Sequence, residues 1–221
     1  MRSPPFQVRF ELEGWSLFWA LLEVLPGGFE ALSNLSREVT EKIRQEIRID
    51  TLSTHRTVSA LRKLFRAAGC DPTRYRPSSE ALLRRILKGE MLPTIHPLVD
   101  LNNCLSASLA VPCCVMAEDA LLPPFVFRPG TPGESYESLR GPFNLEGKPV
   151  LADSLGPCDA PITGGQRVRV TAKTRRVWLV AYLPAGVIEP QVVERRLMDF
   201  LTAAPVARVI ETVAFDAIRF L

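Results

Sequence analysis

Residues 76–108 constrain the fold of this chain most, because a helix pattern, a rigid loop pattern and a second helix pattern follow one another there without a gap. The polar start at 77–80 is typical of a helix N-terminus. Apolar residues then recur at three-to-four-residue spacing and predict one packed face, formed by Ala81, Leu82, Ile86 and Leu87. The cations between them predict a basic outer face, formed by Arg84, Arg85 and Lys88.

Gly89 predicts the end of this helix, and prolines then bracket a short extended piece at 92–96. A second helix is predicted to begin near Leu98. Asp100 and Asn103 stand one helical turn apart in it, so their side chains can point to the same side. The pair can cap the helix N-terminus or bind a ligand, and the sequence leaves both uses open.

Helical and strand patterns along the rest of the chain predict the fold class. Strands are predicted at 6–12, 124–128, 148–152, 167–171, 177–183 and 207–215. Helices are predicted at 16–24, at 36–49, from Ser53 or Thr54 to Gly69, and from Pro190 onwards. Residues 111–123 and 156–165 are predicted to be loop. Because helices lie before and after the run of strands, we expect an α+β fold with a mixed or antiparallel sheet, and not a doubly wound α/β fold.

The length of 221 residues and the hydrophobic content of 47% allow one sizeable core. We therefore expect a single domain over 1–221, with a strand–helix arm at 1–53 that is either part of the core or a lid, and the main core at 54–221. The apolar run at 15–22 lacks the basic flank of a signal peptide and the length of a membrane span, which predicts a cytoplasmic protein with no membrane partner. Five cysteines without a C-x-x-C pair, and two histidines, predict buried free thiols and no metal site.

The basic residues are concentrated in two regions, although the net charge is only +3. Between positions 55 and 90 the chain has nine lysines and arginines against three acidic residues. A second cluster without an acid contains Arg167, Arg169, Lys173, Arg175 and Arg176. Such patches fit a polyanion such as nucleic acid, although a solvated helix face gives the same pattern.

The ordinary catalytic motifs G-x-S-x-G, the P-loop, G-x-G-x-x-G and H-E-x-x-H do not occur in the sequence. His96, in the loop before the second helix, either takes part in a site or satisfies a local hydrogen bond. Glu134 lies in a turn-rich loop, where its carboxylate can reach a ligand amine. The segment 163–165, Thr-Gly-Gly, either offers backbone amides to a carbonyl or phosphate group or forms a simple hairpin turn.

Several segments together resemble a known family. The run Arg-x-Ser-x-Glu-Ala-Leu-Leu-Arg-Arg-x-Leu-Lys-Gly from Arg76, followed by Leu-Pro-x-Ile-x-x-Leu-Val-Asp-x-x-Asn from Leu92, resembles the tRNA-binding B3/B4 domain, the editing module of the phenylalanyl-tRNA synthetase β-subunit. A chain of this length is similar to the stand-alone version. The resemblance runs from about residue 60 to 183 and includes the Gly-Glu pair at 133–134, the segment 153–163, and the threonines at 171 and 174.

This resemblance implies a pocket that holds the aminoacyl end of a mischarged tRNA while a water molecule hydrolyses the ester, with no metal or other cofactor. It implies that Glu134 holds the α-amino group or orients the water, that Asn103 and the amides of 163–165 polarise the carbonyl, and that His96 positions the water. The residues implied to line the substrate site are Asp100, Cys114, Thr163, Gly164 and Gly165. The cations implied to contact tRNA phosphates are Arg84, Arg85, Lys88, Arg167 and Arg169.

The chain departs from the family pattern at two of these positions. His96 stands where many relatives have asparagine, and Cys114 stands where synthetase modules place a histidine, so the amino-acid preference is not inherited. Two further hypotheses therefore stand beside an aminoacyl-tRNA deacylase acting in trans. One is a non-catalytic RNA- or amino-acid-binding module with the same fold. The other is a structural or regulatory protein whose basic face binds an acidic partner.

Overall fold

A computed structural model describes residues 6–217 of the chain, which form two β-sheets with helices packed around them. The first sheet is antiparallel, and its strand order is β11 (Ala207–Asp216), β2 (Trp15–Val24), β10 (Arg176–Pro184) and β3 (Cys113–Ala117). The second sheet has the order β1 (Val8–Phe10), β4 (Phe125–Pro129), β7 (Pro149–Asp153), β8 (Gly156–Ala160) and β9 (Thr163–Gly164). A separate hairpin consists of β5 (Ser135–Ser138) and β6 (Gly141–Asn144).

The helices are α1 (Phe29–Glu46), α2 (Arg56–Ala67), α3 (Ser78–Leu87), α4 (Pro97–Leu109) and α5 (Pro190–Ala203). In the second sheet, β1 pairs with β4 in parallel and the other neighbours are antiparallel. The α+β prediction with mixed and antiparallel sheets is therefore confirmed.

The four-stranded sheet separates two hydrophobic cores, because successive side chains of a strand point to opposite faces. In β2, Phe18, Ala20 and Leu22 belong to one core and Leu17, Trp19 and Leu21 belong to the other. Helices α1, α3, α4 and α5 supply the partners of the first core. In the second core, the five-stranded sheet and α2 pack against the other face of the four-stranded sheet.

Aromatic rings fill the space between the two sheets. The ring centroids of Phe6 and Trp19 lie 4.8 Å apart, and those of Trp19 and Phe125 lie 4.9 Å apart. Trp15 and Phe127 form a further edge-to-face pair at 5.3 Å. Each such ring removes roughly 150–250 Å² from water, so these contacts account for much of the attraction between the sheets.

The helix predicted at 16–24 is wrong, because this segment is strand β2 at the centre of the first sheet. Every residue from Trp15 to Leu22 is buried, and β2 is paired on one side with β10 and on the other with β11. A strand that is buried on both faces has no polar alternation, so its sequence resembles that of a buried helix. Strand β2, within the arm predicted at 1–53, thus belongs to both cores.

Three other predictions near the candidate site are wrong. Residues 156–165, predicted as loop, contain β8 and β9, because β7 offers a partner edge to a segment rich in glycine and proline. Residues 111–123, also predicted as loop, contain β3, which pairs with β10. The strand predicted at 167–171 does not form. Its first residues make a short 3₁₀ turn, and the Arg167 guanidinium binds Asp153 and the carbonyl of Ala120.

The other predicted elements are confirmed with shifted ends. The amphipathic helix predicted at 36–49 is α1, and the central buried strand predicted at 177–183 is β10. The packed face of α3 differs from the predicted one, because Leu83 is fully buried and Ala81 is exposed. Leu83 lies one helical turn before Leu87, so the true apolar stripe is rotated by one residue from the predicted one.

Candidate functional site

His96 and Asp100 cap the N-terminus of α4. The Oδ1 atom of Asp100 accepts hydrogen bonds from the backbone N–H groups of Ile95 at 2.8 Å and His96 at 3.4 Å. The Nδ1 atom of His96 accepts from the backbone N–H of Leu98 at 3.3 Å. Burial lowers the pKa of His96 and raises that of Asp100, while each group opposes the shift of the other. Both side chains thus hold the entry to the helix in place.

Asn103 and Cys114 lie on adjoining segments at the edge of the four-stranded sheet. The side-chain amide of Asn102 donates to the carbonyl of Cys113 at 3.2 Å, which ties the middle of α4 to the start of β3. Asn103 is partly exposed beside this contact, and Cys114 follows it in β3. The structure therefore brings these two predicted site residues into one neighbourhood.

Glu134 forms an internal ion pair instead of presenting a free carboxylate. Its two oxygens accept from the guanidinium of Arg128 at 2.6 and 2.8 Å, and one oxygen also accepts from the backbone N–H of Thr131 at 2.9 Å. Hydrogen bonding from Arg128 lowers the pKa of Glu134. The loop that contains Glu134 is fixed by this pair.

Cys114, Asp159 and Tyr182 form a polar group between the two sheets, which we call the inter-sheet cluster. Asp159 is on β8 and is 0% exposed, and its Oδ2 atom accepts a hydrogen bond from the Tyr182 hydroxyl on β10. Its Oδ1 atom has no hydrogen-bond partner among residues 6–217. The thiol of Cys114, on β3, lies beside this carboxyl and is the partly exposed member of the cluster.

The predicted substrate residues of β9 cover this cluster. A Cβ atom placed on Gly164 would lie 3.6 Å from Cys114 Sγ and 3.7 Å from Asp159 Oδ1, so the backbone passes directly over both groups. The Tyr136 hydroxyl donates to the carbonyl of Thr163 at 2.5 Å, and the N–H of Leu139 donates to the carbonyl of Gly164 at 3.0 Å. The hairpin β5–β6 thus closes over the cluster from the outside.

The inter-sheet cluster is electrostatically unusual because it contains a fully buried carboxyl group. Burial raises the pKa of Asp159 to about 7, while the hydrogen bond from the Tyr182 hydroxyl acts in the opposite direction. Burial, followed by the nearby Asp159 carboxylate, raises the pKa of Cys114 well above its ordinary value. The thiol therefore stays protonated at neutral pH.

Sequence reasoning missed Asp159 and Tyr182. A tyrosine inside the apolar run of β10 was the available signal, since a buried phenol hydroxyl nearly always has a hydrogen-bond partner. Asp159 gave no such signal, because its segment reads as a glycine- and proline-containing loop. Its importance depends on β8, which the sequence did not predict.

Three of the five cations that were predicted to contact tRNA phosphates take part in ion pairs within the protein. Arg84 binds the buried carboxylate of Glu80 at 2.8 Å, and Arg167 binds Asp153 at 2.8 Å. Arg85 pairs with Glu90 at 3.0 Å on the surface. The other two predicted cations, Lys88 and Arg169, are exposed and form no ion pair within residues 6–217.

Other exposed cations lie on loops that contact the segments around the inter-sheet cluster. The N–H of Ser78 donates to the carbonyl of Pro161 at 2.9 Å, which places the loop between α2 and α3 against the β8–β9 turn. Arg74 and Arg76 belong to this loop, and Arg140 follows Leu139 in the β5–β6 turn. These three arginines are exposed and have no acidic partner in the part of the chain that the structure describes. We call them the basic rim.

Other features of the described residues do not add to this site. Within residues 6–217, no group of three or more histidine, cysteine, aspartate and glutamate side chains is arranged to hold a metal ion. None of the helices in that range combines the length and the apolar character that crossing a membrane requires. A groove of about 800 Å³ runs along β1 and β4 and contains none of the predicted site residues.

Comparisons with known proteins identify a family for this chain. The family model of the B3/4 domain matches residues 60–195, which extend from α2 into α5 and contain the inter-sheet cluster. No curated protein matches the chain. A crystal structure of an N-terminal fragment of the phenylalanyl-tRNA synthetase beta-subunit from Pyrococcus horikoshii is similar to the chain, with a TM-score of 0.49 and 14% sequence identity. The alignment covers 96% of this chain and 55% of that one.

Proposed function

This chain belongs to the B3/4 domain family, and from that premise we propose that it binds tRNA and hydrolyses the ester bond of mischarged aminoacyl-tRNA, acting in trans. The resemblance of residues 76–108 to the editing module of phenylalanyl-tRNA synthetase supports this choice within the family. The observation that carries the proposal is the position of the basic rim beside the inter-sheet cluster. A polyanion held by the rim would bring its 3′ end to the cluster.

In the proposed reaction, a water oxygen attacks the carbonyl carbon of the ester. The bond between that carbon and the ribose oxygen breaks, the ribose oxygen takes up a proton, and the free amino acid leaves. The side-chain amide of Asn103 and the backbone amides of Gly164 and Gly165 donate to the developing oxyanion, and His96 positions the water. Pre-positioning of water and ester supplies most of the rate, because the ester is already an activated bond.

The role proposed for Glu134 is constrained by its partner. A carboxylate that receives two hydrogen bonds from Arg128 has little capacity left for a proton or an ammonium group. The ion pair then fixes the loop from Arg128 to Glu134, and no direct contact with the ester is assigned to Glu134.

Phosphate contacts are proposed for Lys88, Arg169 and the three arginines of the basic rim. Exposed cations without an acidic partner release counterions when they meet a phosphate. An arginine already paired with a buried acid, such as Arg84 with Glu80, keeps that partner and adds less to binding.

A second candidate function is tRNA binding without hydrolysis. Two observations favour it: Glu134 is paired with Arg128, and the Cys114 thiol is protonated. Neither side chain therefore offers a free base. In this case the domain retains the fold and the basic rim but leaves the ester intact.

Release of amino acid from a panel of aminoacyl-tRNAs tests both candidates. The purified chain would be incubated with tRNAs charged with alanine, serine, valine, phenylalanine, tyrosine and lysine, each carrying a labelled amino acid. The proposed function expects release well above that in buffer for at least one of them. No release from any, with salt-sensitive tRNA binding retained, would replace the deacylase with the non-catalytic module.

A further inference from the structure

Asp159 is an exception among the buried carboxylates of this protein. Within residues 6–217, the carboxylate of Glu80 is held by Arg62 and Arg84, and the carboxylate of Asp153 is held by Arg167. All three acidic side chains are fully buried. Asp159, in contrast, has no cationic partner in the described part of the chain, and its Oδ1 atom accepts no hydrogen bond there.

A buried carboxyl with an unused oxygen costs stability. Leaving a buried polar group unsatisfied costs about 1–3 kcal/mol, and more when the group is ionised. The Tyr182 hydroxyl satisfies Oδ2 only. The partner that Oδ1 lacks is therefore a hydrogen-bond donor, and a cationic donor would match an ionised carboxyl best.

The groups that cover Oδ1 can be displaced by a ligand. Gly164 has no side chain, and the atom nearest to a Cβ placed on it is Cδ1 of Leu139, at 3.2 Å. Leu139 is 57% exposed in the β5–β6 turn, so its rotation is not blocked by a surrounding core. Cys114, on the other side, is partly exposed. Because Asp159 is 0% exposed, a donor group reaches Oδ1 only when the Leu139 side chain moves aside.

We propose that Asp159 is the residue that binds the α-ammonium group of the aminoacyl ester, with Oδ1 as the acceptor. This inference rests on the proposed function, because it names the group of the substrate that the inter-sheet cluster recognises. It transfers to Asp159 the ammonium-binding role that the family resemblance implied for Glu134, whose carboxylate is already paired. The amide of Gly164 lies next to Asp159, so an ester anchored at its ammonium group has its carbonyl beside that backbone.

Binding of amide analogues tests this proposal without requiring hydrolysis. The probes are 3′-deoxyadenosines that carry alanine, serine or phenylalanine through a 3′ amide, each with a free α-amine and in an N-acetyl form. For the wild-type chain, calorimetry at pH 7.5 should show about ten- to a hundredfold tighter binding of the free-amine form, since a charge-assisted hydrogen bond is lost on acetylation. In Asp159→Asn the two forms should bind within about twofold of each other.

Two further variants keep the test specific. Tyr182→Phe removes the donor to Oδ2 but leaves the carboxyl, so it should retain the preference for the free amine. Glu90→Gln, on the surface beside Arg85, should change nothing. Equal binding of both forms by the wild-type chain, binding of neither form, or an unchanged preference in Asp159→Asn would overturn the proposal. Preference for the free amine without hydrolysis of any aminoacyl-tRNA would retain it and reject the deacylase.

Discussion

The hydroxyl of Tyr182 donates a hydrogen bond of 2.5 Å to Oδ2 of Asp159 and thereby joins β10 in one sheet to β8 in the other. The bond lies within the second core, whose buried members include Met116 and Val180. A single polar link in such a core fixes the orientation of the carboxyl, so its second oxygen points towards Cys114 and Gly164.

Asp159 should make the stability of the protein depend on pH. Burial raises the pKa of this carboxyl from 3.8 to about 7, so the folded chain keeps the proton to a higher pH than the unfolded chain does. Its contribution is therefore fully present below pH 4 and is lost as the pH rises to about 7. We expect the free energy of unfolding of the wild type, relative to Asp159→Asn, to fall by roughly 4 kcal/mol over this range.

Urea unfolding of both proteins between pH 4 and pH 8 measures this difference. The groups that face Asp159 are Cys114, Cys158, Tyr136 and Tyr182, and the pKa of each is raised above its ordinary value. None of them titrates within the range, so they do not mask the effect. A difference that does not change with pH would show that Asp159 titrates normally in the folded chain.

Glu80 should contribute strongly to stability through its two arginines. Its carboxylate is fully buried and accepts from Arg62 at 2.8 and 3.1 Å and from Arg84 at 2.8 Å. Removing one partner of a buried pair typically costs 3–5 kcal/mol, because it leaves the other charge uncompensated. We expect Arg62→Met to lower the free energy of unfolding by about 3 kcal/mol, since Arg84 still compensates part of the charge.

Arg85→Met is the matched control, measured by the same urea unfolding. Arg85 pairs with Glu90, and both side chains are about half exposed. An exposed pair contributes about 0–1 kcal/mol, so this variant should unfold close to the wild type. Equal losses in the two variants would mean that burial of Glu80 does not strengthen its pairs.

The two adjacent glycines of the site should respond differently to alanine. A Cβ at position 165 would lie 2.3 Å from the carbonyl oxygen of Cys158, so Gly165→Ala must displace backbone and should destabilise the fold by about 1–3 kcal/mol. A Cβ at position 164 meets the exposed side chain of Leu139 first, which can move. Gly164→Ala should therefore fold normally but bind the amide analogues weakly.

Thermal unfolding measures the stability of both glycine variants, and calorimetry measures how tightly they bind the amide analogues. The added methyl group of Gly164→Ala would stand 3.7 Å from Asp159 Oδ1, in the space that an ammonium group needs. Analogue binding at the wild-type level in this variant would place the ligand elsewhere.

The basic rim should control the salt dependence of tRNA binding. Each phosphate contact adds about 0.7–0.9 to the slope of log K against log salt concentration. If Arg74, Arg76 and Arg140 each contact a phosphate, their combined substitution by alanine should reduce the slope by roughly 2. Filter binding of uncharged tRNA at several salt concentrations measures the slope.

A variant with the same change of charge on the helical side is the control. Arg37 and Lys42 on α1 and Arg195 on α5 lie in the layer that covers the opposite face of the four-stranded sheet. Their combined substitution by alanine should leave the slope almost unchanged. A similar reduction in both variants would indicate attraction by net charge alone.

The sequence predicted local elements well where their pattern was periodic or bounded by glycine and proline. Helix α1 and strand β10 were found in this way, and so was the helix–loop–helix segment around His96. The sequence-based predictions were wrong at β2 and β8, for opposite reasons. The β2 sequence is apolar throughout, whereas the β8 sequence lacks strand formers, and in both cases the neighbouring strands decide the conformation.

The candidate site was predicted in part. Cys114 and the segment 163–165 do meet, as the resemblance to a known family implied. The sequence could not show that Glu134 and Arg84 are paired within the protein, because their partners come close to them only in the folded chain. Arg128 precedes Glu134 by six residues, and Glu80 is shared by arginines from two helices.

The sequence by itself determined the family, the fold class and the segments that form the site, because motif spacing and hydrophobic periodicity are local properties of a chain. Only the tertiary structure decided which charged groups are free. Asp159 carries an unsatisfied oxygen because β8 places it opposite Tyr182, and within residues 6–217 no arginine pairs with it. Electrostatic pairing depends on distances between residues that are remote along the chain, and those distances are set when the two sheets pack.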